Sequence, residues 1–481
     1  MSSGKKRLVI PITLQFGIRY YLRSGLLEQL EDAIQPLILL AWSDSQLEEE
    51  FRSISAEVYH LPKQQWGSDY RRIRNWLDIW HRSMLQSPST AIDERRWLID
   101  MPLRNKVIRK TRQALVRASL VVPRNAERLL ESEQRVLLED SNYAEFEKLI
   151  RSLKADALLS LAPFHRDEEM LVRAAHNSGL PMCTAIHSFD NLTTRGWIPP
   201  VFDTYLVWNS YNAGELSRIY PSTRNNRVEI VGTPQFDFYL DPGYLWPREK
   251  WLQELSLPCE RPLILFGGGP PEIVPHEPFI LQQIDNAVEN EEIRGNPVIL
   301  FRRHPVDRIE RWKPVIDSSR HIICDDPWLP GESIMHFNIR RTDMERLVST
   351  LYHTQVHVNT SSTMTVDGAF FDKPQIGPAY DDCPGQRYDR TTKELYLREH
   401  YLPITNSGGL TVANSREELI MAINEGLENP QNQQEGRRKI IREICTFDDG
   451  SSTRRVEEAI RRFVNESRHA SDTSTQQVNQ N

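Results

Sequence analysis

No stretch constrains this chain more than Val356 to Ile376. Val356-His357-Val358-Asn359 is a short apolar strand, and Thr360-Ser361-Ser362-Thr363 is a run of four small hydroxyl residues. A short helix to Phe371, a turn at Asp372-Lys373-Pro374 and a second strand at Gln375-Ile376 follow. The hydroxyl run falls where the helix begins, so unpaired backbone N–H groups and the helix dipole converge there. Such a start accepts a phosphate or diphosphate, and Ser or Thr side chains add donors. Ordinary N-capping is the alternative, since Ser and Thr are favoured caps, but four hydroxyls exceed what one cap requires.

The same alternation fills the rest of the chain. Strands are expected at Arg7–Ile12, Pro36–Trp42, Ala157–Leu161, Pro181–Ile186, Thr204–Val207 and Val228–Val231, with helices around Ser24–Ala33 and Glu168–Ser178. Residues 44–148 read as mostly helical and rich in Arg and Trp. Phe238–Arg261, with its Pro and Gly pairs, has the turn density of a linker. Strands follow at Leu263–Phe266, Pro297–Phe301, His321–Cys324, Gln355–Asn359 and Gln375–Ile376, with helices near Pro278–Asn290, Asp343–Tyr352 and Thr363–Phe371. Short apolar strands between helices predict parallel sheets covered on both faces, hence an α/β chain of two consecutive units. Amphipathic helices at Arg416–Leu427, Glu435–Thr446 and Ser451–Val464 close the chain. The polar tail, 467–481, lacks apolar periodicity and is expected to be disordered.

Composition excludes several classes. With 481 residues, two or three domains are expected, and the net charge of −7 argues against a general nucleic-acid binder. No segment reaches the roughly 18 uninterrupted apolar residues of a membrane span. Leu8–Ile12 is too short for an export signal. Five scattered cysteines without metal-type spacing fit a reducing, cytoplasmic setting.

Four constellations could carry chemistry. Leu263–Pro270 is a strand running into Gly267-Gly268-Gly269, at the strand end where such sheets take ligands; a plain tight turn is the alternative. Val298–Pro305 is a strand ending in Arg302-Arg303-His304, donors suited to anionic oxygens or to a solvated strand end. Thr184–Gly196 delivers His187 and Asp190 to a loop, where either could take a proton from a hydroxyl, or where Asp190 and Asn191 build an Asx-type turn. Pro102–Asn125 carries seven Lys or Arg and no acid, with Val107, Ile108, Leu115 and Val116 interleaved. It could meet an anionic acceptor or a membrane surface, or be a solvated helix face.

His187–Gly196, Asp203–Asn209, Val231–Asp237, Arg303-His304-Pro305, Asn359–Thr363 and Asp448–Arg454, in that order, resemble the GT-B superfamily of glycosyltransferases. The likeness is closest to the branch of bacterial surface-polysaccharide transferases and CDP-glycerol glycerophosphotransferases, and it covers about Arg7 to Val464. It implies two Rossmann-like domains with parallel sheets facing an interdomain cleft. Residues 1–240 would take the acceptor, 241–447 the nucleotide donor, and a helix in 448–466 would pack back on the first domain. Ser361, Ser362 and Thr363 would cradle the donor diphosphate, Gly267, Gly268 and Gly269 would let the donor approach, and Arg303 and His304 would line its phosphates. Asp367 falls near the family's ribose-binding acid, and Arg19, Asn191 and Arg195 are expected on the acceptor side. His187 stands near the family's base-candidate histidine, whose next residue is usually Gly; here it is Ser188, and Asp190 competes for the role.

Superfamily members generally work without a bound metal, because a helix terminus and basic side chains neutralise the leaving diphosphate. Asp325-Asp326, Asp381-Asp382 and Asp448-Asp449 accordingly read as loop or cap acids. The resemblance implies a cytoplasmic, metal-independent glycosyltransferase with no cofactor beyond its nucleotide-sugar substrate. It would act on a hydroxyl of a glycan or lipid-linked acceptor in surface polysaccharide biosynthesis, with peripheral contact on an anionic membrane. A CDP-polyol phosphotransferase, a UDP-N-acetylhexosamine 2-epimerase-like enzyme and a non-catalytic glycan- or nucleotide-binding relative share the architecture and stay open.

Overall fold

Among the described residues (4–85, 87–119, 124–198, 202–258, 260–326, 336–384 and 391–478) the computed structural model holds two parallel sheets. The chain divides into two compact units, Met1–Pro234 with Ser451–Asn481, and Gln235–Gly450.

The first unit contains β1 (Lys6–Ile12), β2 (Ile34–Leu40), β3 (Glu57–His60), β4 (Ala157–Ser160), β5 (Met182–Ala185), β6 (Thr204–Val207) and β7 (Arg227–Ile230). Their order is β3-β2-β1-β4-β5-β6-β7, every pair parallel. Alternation along β1 sends Leu8, Ile10 and Ile12 to one buried face and Val9 to the other. The first face packs on the helix Ser452–Val478, through Val456, Ala459, Ile460, Phe463 and Val464 at helical spacing. The helices Ser141–Leu153 and Glu169–Asn177 cover the second. From β1 the chain steps outward to β2 and β3, then returns to β4 on the other side. That reversal puts the ligand-binding switch point at the C-terminal ends of β1 and β4.

The second unit repeats the plan with β8 (Leu263–Gly267), β9 (Val298–Arg302), β10 (Ile322–Asp325), β11 (Val356–Asn359), β12 (Gln375–Pro378) and β13 (Leu410–Ala413). The order β10-β9-β8-β11-β12-β13 is again all parallel, so its switch point lies between β8 and β11. There the glycine loop and the hydroxyl run emerge side by side.

Where the expected strands exist, their ends agree to about two residues, the usual looseness of such boundaries. Three readings change. The region 44–148 also holds β3, a half-buried edge strand whose Glu-Val-Tyr-His sequence is too short and polar to give an apolar run. Phe238–Arg261 is no free linker. It contains the helix Arg248–Glu254, where buried Trp251 donates to Thr350 Oγ1 at 3.1 Å, and Trp246 N–H reaches Ser349 Oγ at 2.9 Å. Its prolines and glycine shape turns between tryptophans anchored on the helix Arg341–His353. The last helix runs to Val478, so most of the tail is helical backbone, because extending a helix already nucleated on a buried face costs little.

Candidate functional site

At the switch point of the first unit, Thr13 follows β1, Leu161 follows β4, Glu168 caps the helix Glu169–Asn177 and His187 follows β5. The buried Glu168 carboxylate accepts from Thr13 Oγ1 at 2.8 Å and from Ser160 Oγ, and the Ala162 N–H also faces it. Burial nevertheless pushes this carboxyl up to about 7. His187 stacks on Phe16, ring centroids 5.6 Å apart, and Phe164 tilts against it at 5.9 Å. Its Nδ1 lies 3.2 Å from the Leu161 carbonyl oxygen. A carbonyl can only accept, so Nδ1 carries the proton and Nε2 keeps a lone pair. Burial first, and the Arg195 cation second, hold the ring down at about 4, so it is neutral at pH 7.

Asp190 sits differently. Its carboxylate takes the Ser188 hydroxyl and the Asn191 amide, and its carbonyl takes the Thr193 and Thr194 hydroxyls at 3.1 and 2.9 Å. This is a turn built from residue types that favour it, leading into the helix Asn191–Thr194. Asn191 is buried beneath that turn, whereas Arg195 is exposed just beyond it. Arg19 is half-buried in the helical turn Ile18–Arg23 after β1.

In the second unit the glycines are closely packed by the fold itself. A methyl added to Gly267 would lie 2.5 Å from Met364 Sδ, and one on Gly269 would lie 2.5 Å from Val274. Gly268 is walled by Trp312 and Phe301. The Gly269 N–H donates to buried Glu277 at 2.6 Å, whose carboxyl burial raises to about 7. A water-sized cavity of about 20 Å³ touches Glu277, Thr360, Tyr380 and Thr392.

Arg303 is likewise engaged within the fold. Its fork holds Asp326 at 3.1 and 2.7 Å, while Arg302 pairs with Asp325 at 2.7 Å, and Asp325 also takes Arg346 at 2.6 Å. Asp325 and Asp326 are therefore structural counterions and not loop acids. The parallel register sets Arg302 beside Asp325, so the two strand ends neutralise each other. Among the described residues the donor of His304 has no partner. Its Nδ1 accepts the Val306 N–H at 3.2 Å, so Nδ1 is bare and Nε2 carries the proton in the neutral ring that burial holds at about 4. Asp307 fixes this loop: its N–H donates to the His304 carbonyl at 2.9 Å, and its carboxylate takes Trp312 Nε1 at 2.7 Å and Arg311 Nε at 3.0 Å.

The hydroxyl run divides its labour. The Ser361 hydroxyl donates to the Leu395 carbonyl at 3.1 Å, and Ser362 Oγ accepts the Met364 N–H at 3.2 Å, one residue ahead of the N-cap Thr363, whose side chain makes no capping bond. Thr365 and Val366 N–H groups bond the Ser362 and Thr363 carbonyls, so the opening amides of the helix Met364–Phe370 are met within the chain. Thr363 is exposed. Ser361 has φ 46°, a left-handed conformation costing roughly 1–3 kcal/mol in a residue with a side chain, and such strain clusters at functional sites. Asp367 accepts the Tyr239 hydroxyl at 2.8 Å.

Sequence reasoning passed over Glu168, Glu277 and Asp307. Glu168 stands in Arg166-Asp167-Glu168-Glu169, which reads as a solvated helix start, and only the fold turns it inward. Asp307 had a usable signal in its i, i+4 spacing to Arg311.

The basic stretch forms the helix Leu103–Ser119. Lys106 reaches the Ile99 carbonyl, Arg109 pairs with Glu94 at 2.9 Å, and Arg112 lies over Trp76. Leu103, Val107 and Leu115 are exposed beside Arg104, Lys110 and Arg117. Residues 120–123 lie outside the described residues, as do the side chains of Arg124 and Asn125. Among the described residues no helix is long and apolar enough to cross a membrane.

Several solved structures share the fold over nearly the whole chain. The S. aureus MnaA–UDP co-structure is 10% identical, with a TM-score of 0.57 and coverage of 96% of this chain and 97% of that one. A putative UDP-N-acetylglucosamine 2-epimerase from Listeria monocytogenes is 10% identical, with a TM-score of 0.55 and coverage of 95% and 96%. UDP-GlcNAc 2-epimerase from Neisseria meningitidis bound to UDP-GlcNAc is also 10% identical, with a TM-score of 0.52 and coverage of 95% and 100%. At that identity the likeness establishes the GT-B architecture alone. No curated protein matches the chain. The family model for CDP-Glycerol:Poly(glycerophosphate) glycerophosphotransferase matches residues 200–462. That span takes in β8 to β13, His304 and the hydroxyl run, and leaves His187 outside. Because the match extends over more than half the sequence, the chain belongs to the CDP-glycerol:poly(glycerophosphate) glycerophosphotransferase family and is a transferase of GT-B fold.

Proposed function

We propose that this transferase moves the activated group of a nucleoside-diphosphate donor onto a hydroxyl of a glycan or lipid-linked acceptor in cell-surface polymer synthesis. The family match supports this reading, and on it we take a CDP-polyol as the first donor to test. The second unit holds the diphosphate, with the His304 Nε2–H donating to an anionic oxygen and Thr363 and the strained Ser361 backbone beside it. In the first unit His187 Nε2 accepts the acceptor's hydroxyl proton. The acceptor oxygen bonds to the β-phosphorus, the bridging P–O bond breaks, and CMP leaves with those electrons. No step requires a metal ion, since hydrogen-bond donors meet the charge on the leaving group.

A nucleotide-sugar donor is the second reading. Ser188, bonded to Asp190, replaces the glycine usual in the glycerophosphotransferase motif, so this loop departs from its relatives where the acceptor chemistry lies. The products separate the two. CDP-glycerol with a glycan or lipid-linked acceptor should release CMP, whereas a sugar transferred from its nucleotide releases the nucleoside diphosphate. Release of neither from CDP-glycerol or UDP-N-acetylhexosamine, with acceptor present and EDTA added, would contradict the proposal.

The helix Leu103–Ser119 fits an anionic membrane surface carrying the acceptor. Its exposed leucines and valine supply apolar insertion, and each cation near the surface adds about 1 kcal/mol. Sedimentation with anionic liposomes at low salt, and not with neutral ones, is the expected outcome. Equal and negligible sedimentation with both would remove the membrane from the account.

A further inference from the structure

His187 is held on two sides, by the loop after β1 and by the loop after β4. Phe16, its stacking partner, lies three residues beyond Thr13 at the end of β1. The carbonyl that sets its tautomer belongs to Leu161, between Ser160 and Ala162 at the end of β4. Phe164, its third neighbour, lies in the same β4 loop. One carboxylate meets both segments. Glu168 takes the Thr13 hydroxyl on Oε1 at 2.8 Å and the Ser160 hydroxyl on Oε2, with the Ala162 N–H facing it. Its own backbone continues the loop, Glu168 N–H donating to the His165 carbonyl at 3.1 Å and His165 N–H to the Ala162 carbonyl at 2.7 Å. Glu168 is 1% exposed, so water does not compete for either oxygen.

We propose that Glu168 is the positioning residue of the first-unit site, tying the loop after β1 to the loop after β4 so that His187 is kept in one orientation and one tautomer. It touches no reacting atom. Thr13 lies just past β1 and Ser160 ends β4, adjacent strands at the switch point, and removing their shared acceptor loosens one loop against the other. A side chain that both stacks on one loop and hydrogen-bonds the other then loses its fixed direction. The inference rests on the proposal that His187 is the base. A displacement of about 1 Å at a reacting group costs on the order of 100-fold in rate even when the change is remote.

The test uses full-length Glu168→Ala and Glu168→Gln beside His187→Ala, with 15N-histidine spectra and steady-state kinetics on each. Glu168→Ala should lower kcat by about 100-fold and leave the donor KM unchanged. The His187 signals should pass from a single Nδ1–H tautomer to a mixture. Glu168→Gln, which keeps one accepting oxygen and the side-chain volume, should fall between wild type and Glu168→Ala in both readouts. If Glu168→Ala does not fold, Glu168→Gln alone carries the test, since a merely structural role would leave the His187 tautomer unmoved in a folded variant. Wild-type kcat with an unchanged His187 tautomer in a folded Glu168 variant overturns the inference. Full turnover in His187→Ala overturns the base assignment instead, and the spectra of the Glu168 variants still report whether Glu168 sets the ring.

Discussion

Each sheet carries a histidine just beyond a strand end, His187 after β5 and His304 after β9, and the backbone treats them in opposite ways. In the first unit His187 leans on a carbonyl, so its Nδ1 must be protonated and its Nε2 is an acceptor. In the second, His304 leans on an N–H, so its Nδ1 is bare and its Nε2 is a donor. Both rings are neutral near pH 7 because burial holds each at about 4. Identical residue types thus become a proton acceptor on one edge and a donor for anionic oxygen on the other. A single local backbone partner decides which. The surroundings differ as well. Around His304 the guanidiniums of Arg302, Arg303 and Arg311 are matched to Asp325, Asp326 and Asp307, while the exposed Arg195 is the cation that bears on His187.

The largest expected effect breaks the comparison on the acceptor side. His187→Ala should cut turnover by about 100- to 10,000-fold, the range for loss of a general base, with nucleotide affinity in calorimetry unchanged. Asp190→Asn should keep turnover of the wild-type order, because Asp190 is occupied in its own turn. A collapse in Asp190→Asn with an active His187→Ala would exchange their roles. In wild type, the 15N signals of the His187 ring should change on acidification only as pH approaches about 4, where the ring takes up a proton. A half-point near the ordinary histidine value would mean that burial does not govern the ring.

The next effect lies on the donor side. His304→Ala should weaken nucleoside-diphosphate binding by about 1.5–3 kcal/mol, the worth of a hydrogen bond to a charged group. Arg303→Ala should chiefly lower Tm and spare affinity, because its fork holds Asp326. The reverse pattern, with affinity lost in Arg303→Ala and kept in His304→Ala, would show that the ligand recruits Arg303 away from Asp326.

The smallest effect concerns the hydroxyl run. Ser362→Ala should cost about 1 kcal/mol of stability through the lost bond to the Met364 N–H, with little change in affinity. Ser361→Ala should likewise lose the bond to Leu395 and leave binding within about 1 kcal/mol. A larger loss of affinity without a change in Tm would restore both hydroxyls as direct phosphate donors.

Much of the architecture was legible in the residues, because an apolar run such as Val298–Phe301 between helical segments has few other uses than a buried parallel strand. Glu57–His60 was not legible, since an edge strand buries too little to need an apolar pattern. At the candidate sites, the sequence did not show which partners several of these residues have within the fold. Arg303 looked free because its partner Asp326 stands 23 residues away on the next strand end, and only the parallel register joins them. The glycines after β8 looked like ligand clearance, while the bulk that demands them, Met364 and Val274, arrives from distant helix and loop. Glu168 gave no signal at all: a carboxylate in a charged run turns inward only because two strand ends offer it hydroxyls.

The two neutral histidines carry opposite tautomers. Long-range 15N–1H correlation spectra of 15N-histidine-labelled protein at pH 7, assigned with His187→Ala and His304→Ala, measure this directly. The expected spectra show a protonated Nδ1 with a bare Nε2 for His187, and a bare Nδ1 with a protonated Nε2 for His304. The same tautomer in both rings, or an imidazolium in either, would contradict this.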